Sequence, residues 1–367
     1  MLLTKPSLFS FTLTQIKMTA LSPPGGLIVT SLRLPFLTRL RTKEGEGEEG
    51  GEEKEEVTEE VREVVREESR DEWARSVAHL VREAGGQWVG WAGPALSSGD
   101  SLPPPAGGVE AGLEAGQVIP VFLSQAEVEA HYLHCKGALW PLLHSMADRA
   151  VFQESHWAQY SRLNNIFAQA TIAALRTLTE AEQVKVASTV WVQDYHLMAV
   201  PEIVSRVAAQ EKLHCRIGYF HHVPFPPWDL FKILPWKDLF LQGLLGSDLI
   251  GFQSTDYALN FLDCCERGLG TRVDRRTMMV EHGPGGRKVK VRALPLGIPF
   301  ERFVNLAEAA PRVSLPVGRD TQVVVSVDTL DYTKGLTHRI AAFQRLLDKY
   351  HIHRHKVSEG RSIADVH

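Results

Sequence analysis

Polar and charged side chains follow several apolar runs of this sequence, at the points where predicted strands end. In an open parallel α/β sheet, ligands bind beyond the carboxyl ends of the strands. Each of these residues alone is typical of a turn or a cap, but on successive strands of one sheet they predict a binding crevice. The set comprises Asp194 and His196, His221 and His222, Gln253 and Ser254, and Asp328, Asp331 and Lys334.

Lys334 and Gly335 stand where a helix is predicted to begin. Backbone N–H groups, the helix dipole and a lysine converge on an anion at such a point, which suits a phosphate or a pyrophosphate. The Lys-Gly pair is short, however, and has little specificity by itself.

The same acidic and imidazole side chains could instead hold a divalent metal, since both are good ligands. Asp194 and His196 lack the helical spacing of a zinc-protease motif. His221 and His222 are adjacent, so on a strand they point to opposite faces. A metal-dependent hydrolase is therefore the weaker alternative, and we expect no metal.

Strands alternating with helices must position these residues. The helix over 254–268 is predicted to begin at an N-cap, Ser254, and the helix over 335–350 has an apolar stripe at Leu336, Ile340, Phe343 and Leu347. Apolar strands between helices are typical of a parallel sheet covered on both faces, which is the doubly wound α/β class. The apolar runs are 27–36, 118–123, 189–193, 216–222, 248–253, 289–295 and 321–327.

The predicted organisation is a complete N-terminal Rossmann-like domain and the beginning of a second one. Residues 43–60 are acidic and Gly-rich, which predicts a disordered insert, and valines 57, 61, 64 and 65 then recur at helical spacing. Because about 47 residues follow position 320, too few for a second doubly wound domain, we expect a truncated chain. The predicted segments are an unstructured or non-native N-terminus at 1–24, the first domain at 25–303, a linker at 304–320, the second domain from 321 to 351 and a divergent tail at 352–367.

Composition excludes several classes of protein. The 367 residues are 44% hydrophobic and 23% charged, which does not fit wholesale disorder. No apolar run approaches the roughly 20 residues that span a bilayer. The acidic stretch 44–68 has a net charge of −10, so the rest carries +6, without the clustered basic and aromatic residues of a nucleic-acid binder. The four cysteines lack metal or disulfide spacing, which predicts a reducing, cytoplasmic compartment.

Two tryptophan-containing segments suit a sugar, because flat rings cover the apolar faces of sugars. They are GGQWVGW (85–91) and ALWPLLHS (138–145), with Trp88 and Trp140 beside predicted loops. Tryptophan rings in such segments more often pack in the core than bind a sugar.

Five ordered motifs together resemble α,α-trehalose-phosphate synthases (UDP-forming), glycosyltransferase family 20. PFPPWD and the EHG before VRALPLGIPF are most similar to arthropod members. The motifs are VWVQDYHLM (190–198), IGYFHHVPFPPWD (217–229), GSDLIGFQSTDYALNFLDCCERGLG (246–270), VRALPLGIPFERF (291–303) and DYTKGL (331–336).

The resemblance implies a GT-B fold, with a cleft between two Rossmann-like domains. It implies retaining, metal-independent glucosyl transfer from UDP-glucose to glucose 6-phosphate, with UDP-glucose as a co-substrate and no other cofactor. It further implies neither a nucleic-acid nor a membrane partner, and a homo-oligomer or a hetero-oligomer with a full-length synthase.

The resemblance also implies roles for single residues of this sequence. His222 contacts the donor glucose and Lys334 neutralises the departing diphosphate, so these two carry the catalytic roles. Arg33 contacts the phosphate of the acceptor, as its forked guanidinium suits. The other expected acceptor-site residues are Trp88, Tyr132, Trp140 and Asp194.

The sequence also departs from the family pattern. Thr329 stands where an arginine normally shares the diphosphate charge, and losing such a contact costs about 10²–10³ in rate. Gln193 replaces the usual histidine, Leu32 an asparagine, and His131 a tyrosine that Tyr132 matches only after a shift of one residue. The family's Gly-Gly-Leu donor loop has no counterpart between 37 and 84. We therefore expect impaired transfer, and the alternative is a non-catalytic glucose 6-phosphate sensor or regulatory subunit.

Overall fold

The computed structural model of this protein describes residues 26–42, 62–68, 72–91, 93, 109–110, 112–181, 187–283, 285–311, 321–353 and 357–364. The segments 1–24 and 43–60, for which disorder was expected, lie outside the described residues. The chain divides into two compact units between Gly297 and Ile298. The domain boundaries at 303 and 320 stay predictions.

The described residues of unit 1 form the following elements. The strands are β1 (Leu27–Arg33), β2 (Phe36–Thr42), β3 (Arg62–Glu68), β4 (Gln87–Trp91), β5 (Val109–Glu110), β6 (Leu113–Glu114), β7 (Val118–Val121), β8 (Ser188–Gln193), β9 (Cys215–His221), β10 (Leu249–Phe252), β11 (Arg272–Asp274), β12 (Met279–His282) and β13 (Arg287–Ala293). The helices are α1 (Glu72–Glu83), α2 (Gln125–His134), α3 (Trp140–Leu143), α4 (Glu154–Ala181), α5 (Val200–Glu211), α6 (Trp228–Phe231), α7 (Lys237–Leu245) and α8 (Thr255–Leu269), with a π-helical turn at Cys135–Leu139 between α2 and α3.

One nine-stranded sheet organises unit 1, in the order β11-β12-β13-β10-β9-β8-β1-β4-β7. The seven strands from β13 to β7 pair in parallel, and β11 and β12 extend one edge antiparallel. From β1 the chain proceeds to β4 and β7 on one side, and then returns to build β8, β9 and β10 on the other. The sheet order therefore reverses between β1 and β8.

Helices cover both faces of this sheet. Leu27 and Val29 of β1 pack in a cluster with Val77 and Val81 of α1. Ile28, between them in sequence, packs in the larger cluster that contains α4 and α5. Successive strand residues thus enter opposite layers, and the doubly wound α/β prediction is confirmed.

Local sequence explains the helix ends that matter for the site. Ser254 caps α8, and its Oγ accepts a hydrogen bond from the backbone N–H of Tyr257, as expected of an N-cap.

The prediction of a helix from valines 57, 61, 64 and 65 is wrong, because residues 62–68 form β3, which pairs antiparallel with β2. Two adjacent valines favour a strand, and cross-strand pairing overrides the helical spacing.

Unit 2 contains α9 (Phe300–Ala309), β14 (Gln322–Thr329), α10 (Leu336–Lys349) and β15 (Val357–Ala364). The two strands pair in parallel on either side of α10 in the chain, which is a β-α-β arrangement. The expectation that residues 352–367 follow neither period missed β15, because VSEGRSIA has no apolar run. Across the residues that the structure describes, every helix is too short or too polar to cross a bilayer.

Candidate functional site

The carboxyl ends of β1 and β8 define the candidate site. Arg33 is the last residue of β1, and Asp194 directly follows β8. These neighbouring strands flank the point where the sheet order reverses, and open α/β sheets bind ligands in the crevice that forms at such a point. The topology therefore brings the first strand's arginine and the eighth strand's carboxylate to one edge.

Asp194 adopts a backbone conformation that only glycine normally tolerates. Its φ is 66° and its ψ 169°, a region that costs of order 1–3 kcal/mol for other residues and clusters at functional sites. The surrounding structure holds it there. Its backbone N–H donates to Phe220 O at 2.8 Å, and its Oδ1 accepts the backbone N–H of His222 at 3.1 Å.

Burial raises the pKa of Asp194 to about 6. Backbone N–H groups of Tyr195 and His222, and the charge of Lys136, oppose that rise. The carboxyl is therefore mainly ionised at neutral pH and gains a proton as the pH falls through about 6. An ionised, half-buried carboxylate is a strong acceptor for the hydroxyl groups of a ligand.

His222, at the end of the next strand, is held in place as a neutral ring. Its Nε2 lies 2.9 Å from Gln193 Oε1, so Nε2–H donates to that oxygen and Nδ1 is left as an acceptor. The Trp73 ring packs edge-on against it, with 4.9 Å between centroids. Burial lowers the pKa of His222 to about 4.

Two further histidines lie close to Asp194, His196 directly and His131 through the His196 ring. His196 Nδ1 lies 3.7 Å from Asp194 Oδ2, and its ring is 5.9 Å from that of His131. His131 is buried on α2, with Nε2 3.4 Å from the Cys135 sulfur. Burial lowers the pKa of His131 to about 3 and that of His196 well below its usual value, so both rings are neutral at pH 7.

The prediction that Trp88 lines the acceptor site is wrong. The ring is fully buried, and its Nε1–H donates to Ser31 Oγ at 2.8 Å, so it presents no face to a ligand. Trp91, three residues later, lies half-buried at the end of β4. The Arg33 guanidinium is 5.6 Å from its ring centroid. Sequence reasoning missed Trp91 by choosing the wrong ring of the same segment.

Trp140 and Tyr132 lie on the connection from α2 to α3. The half-buried Trp140 ring is 6.0 Å from the Tyr195 ring, next to Asp194 in sequence. Tyr132 is 60% exposed. Burial is the main reason for the raised pKa of Tyr195, and the charge of Tyr132 contributes the smallest part of that rise. His131 occupies the inward position next to Tyr132 on the helix.

The four side chains of the alternative metal site do not converge. His221 is buried, with Nδ1 2.9 Å from the Tyr219 hydroxyl and Nε2 3.4 Å from Pro224 O. Its neighbour His222 instead bonds Gln193, on the other face of the strand. Across the described residues, no three metal-ligating side chains are grouped to hold an ion. These residues therefore do not fit a metal.

Lys334 lies in unit 2, in the 3₁₀ turn Tyr332–Lys334 that leads into α10. The turn is capped by Asp331, whose carboxylate accepts the backbone N–H of Thr333 at 2.9 Å. Gly335 has a φ of 63°, so glycine is the residue that suits this position. Lys334 is exposed at the helix start, as the sequence predicts.

Comparisons with known proteins point to one family. The model of glycosyltransferase family 20 matches residues 46–359. A bifunctional trehalose-6-phosphate synthase/phosphatase from Thermoproteus tenax is 38% identical over 273 residues, which cover 72% of this chain and 34% of that protein.

Two solved structures are similar to this chain over most of its residues. A UDP-forming α,α-trehalose-phosphate synthase from Burkholderia xenovorans, in complex with glucose-6-phosphate, has 26% identity and a TM-score of 0.67 over 92% of this chain and 65% of that one. An E. coli structure bound with UDP-2-fluoro glucose has 25% identity and a TM-score of 0.67, over 92% and 64%. The chain spans between about a third and two thirds of the length of these relatives. Because the family model covers most of its residues, this chain belongs to glycosyltransferase family 20.

Proposed function

We propose that this chain takes part in trehalose 6-phosphate synthesis and binds glucose 6-phosphate as the acceptor at the edge formed by β1 and β8. The observation that carries the proposal is Asp194 at the reversal of the sheet order, held in a strained backbone conformation with its carboxylate fixed by the His222 N–H. Such strain is typical of functional sites. The identities of the sugar phosphate and the UDP-sugar are taken from the ligands bound in the similar solved structures.

The site residues have separate roles in this proposal. Asp194 accepts hydrogen bonds from the acceptor's hydroxyl groups, with the exposed Tyr132 and the half-buried Trp140 beside it. Arg33 binds the phosphate, and Trp91 takes the place expected of Trp88. His222, a neutral ring with Nδ1 as an acceptor, contacts the donor glucose. Metal is not required for these contacts.

In the transfer, the bond between glucose C1 and the diphosphate oxygen of UDP-glucose breaks, and the electron pair leaves with UDP. The acceptor hydroxyl oxygen forms the new bond to C1 on the same face. Its proton passes to the departing diphosphate oxygen, so charge and atoms balance. Lys334 stabilises that diphosphate, and Thr329 offers no second cation where the family has an arginine.

The proposal predicts acceptor binding with weak turnover. Titration calorimetry with glucose 6-phosphate is expected to show binding to one site per chain. UDP release from UDP-glucose with glucose 6-phosphate is expected to be slowed about 10²–10³-fold by Thr329 alone. Turnover near an ordinary enzyme's roughly 10 s⁻¹ would contradict the weak activity, and absent glucose 6-phosphate binding would contradict the acceptor site.

A non-catalytic glucose 6-phosphate sensor is the second candidate, and Thr329 is the observation that favours it. Separate titrations distinguish the two, since a sensor binds glucose 6-phosphate and not UDP-glucose, whereas a synthase binds both. A cytoplasmic location is part of the proposal, and the four free thiols support it.

A further inference from the structure

We infer that Lys136 is a second cation of the acceptor site, which binds the anionic group of a sugar phosphate together with Arg33. The inference rests on the proposed function and deepens it, because it names a residue that makes the site prefer a phosphorylated sugar to the free sugar.

Lys136 lies against an aromatic ring of the candidate site. It belongs to the π-helical turn Cys135–Leu139, and such turns often occur at functional sites. The Lys136 Nζ lies 3.9 Å from the centroid of the Trp140 ring. That ring is in turn 6.0 Å from the ring of Tyr195, the residue after Asp194.

Electrostatic effects show that Lys136 and Arg33 act on the same region. Burial is the main reason for the low pKa of His196, and the charges of both Lys136 and Arg33 lower it further. Lys136 also lowers the pKa of Asp194 against the effect of burial. The two cations therefore approach one group from different elements, β1 and the turn before α3.

Charge balance explains why two cations are needed. His131, His196 and His222 have lowered pKa values and are neutral at pH 7, so they add no positive charge. Asp194 cancels one cation when it is ionised. A phosphate monoester carries about −1.5 to −2 at pH 7, and a partly desolvated anion of that charge is costly unless it is paired. With Asp194 ionised, a single cation would leave the site without net positive charge.

A lysine that only covers the Trp140 ring is the competing explanation, since cation–π packing also stabilises this geometry. A packing role and a phosphate-binding role differ in one respect. Loss of packing would weaken phosphorylated and free sugar alike, whereas loss of an anion partner weakens only the phosphorylated sugar.

The test compares binding of glucose 6-phosphate and glucose to the full chain and to Lys136→Met, which keeps the aliphatic stem. We expect the preference for glucose 6-phosphate to fall about tenfold or more, as for the loss of a charge-assisted hydrogen bond. Lys136→Arg should retain the preference. Lys290→Met, at an exposed position of β13, is the matched control and should leave both affinities unchanged.

Each outcome distinguishes the inference from the proposed function. If the unaltered chain prefers glucose 6-phosphate and Lys136→Met keeps that preference, or weakens both sugars equally, the role of Lys136 is overturned while the acceptor site stands. If the unaltered chain binds no glucose 6-phosphate, both are overturned. Thermal unfolding of Lys136→Met, expected within a few degrees of the unaltered chain, verifies that a loss of preference is not a loss of folding.

Discussion

The two units place similar apolar strands in very different surroundings. In unit 1, Val190 and Val192 of β8 are fully buried, because β8 lies between β1 and β9 with helices on both faces. In unit 2, Val325 and Val327 of β14 are 71% and 63% exposed. An apolar run therefore predicts a strand in both units. Whether that strand is buried depends on the elements that surround it within its own unit.

The same contrast extends to chemistry. The site residues of unit 1 are partly desolvated, so the pKa of Asp194 rises to about 6 and that of His222 falls to about 4. Lys334 of unit 2 is exposed at a helix start. Packing therefore shifts the pKa values of the polar groups in unit 1. Substitutions that disturb packing should affect unit 1 far more than unit 2.

The largest expected effect comes from a matched pair of strand substitutions. Phe252→Ala in β10 removes a fully buried ring and should lower the free energy of unfolding by about 3–5 kcal/mol. Val325→Ala in β14 removes exposed methyl groups and should change it by less than about 0.5 kcal/mol. Urea unfolding of the two variants measures this difference. Equal losses would contradict the contrast between the units.

Acid should destabilise unit 1 through its buried histidines. Burial lowers the pKa of His131 and His221 to about 3, and that of His134 and His222 to about 4. Below pH about 6.5 the unfolded chain binds more protons than the folded chain, so stability is lost as the pH falls from 6.5 toward 4. Burial also lowers the pKa of His196. Asp194, whose pKa is raised, acts in the opposite direction, but it is one group against five.

His134→Phe sharpens that prediction. Both ring nitrogens of His134 are buried without a hydrogen-bond partner in the described part of the chain, and the ring lies among Trp157, Trp236 and Phe240. Phenylalanine should stabilise the fold by about 1–3 kcal/mol at neutral pH. It should also reduce the acid dependence by up to about 1.4 kcal/mol per pH unit. Urea unfolding at pH 7.5 and 5.5 tests both, and an unchanged pH dependence would contradict the assignment.

At Asp194, substitutions are expected to change ligand binding and stability in opposite directions. Asp194→Gly relieves the backbone strain and should stabilise the chain by about 1–3 kcal/mol, while glucose 6-phosphate binding is lost with the carboxylate. Asp194→Asn keeps the strain and should lose binding without that gain. Thermal unfolding and calorimetry on both variants measure the separation. A glycine variant that is less stable than the asparagine variant would show that the strain is not real.

The sequence predicted residues that the structure places at one edge of the sheet, because those residues follow a physical rule. Asp194 and His222 were found as polar residues after apolar strands, and the carboxyl edge of a parallel sheet brings such residues together. Trp88 was mistaken for a site residue because Trp88 and Trp91 are three positions apart, so they point to opposite faces of β4. One sequence segment does not reveal which face is covered.

Other features depend on long-range structure and leave no local signal. β15 pairs with β14 through its backbone, although its sequence VSEGRSIA has no apolar run. The π-helical turn that contains Lys136 has no turn residue apart from Gly137 to mark it. The neutral state of His131 and His196 comes from burial, and the helix α2 that carries His131 is distant in sequence from the strand that precedes Asp194.

A crystal structure of this chain with glucose 6-phosphate tests the central claim most directly. The account predicts density for the sugar at the carboxyl ends of β1 and β8, with hydroxyl groups within hydrogen-bond distance of Asp194 and the phosphate against Arg33. Density for the ligand elsewhere on the chain, or a sugar bound with Asp194 and Arg33 far apart, would contradict it.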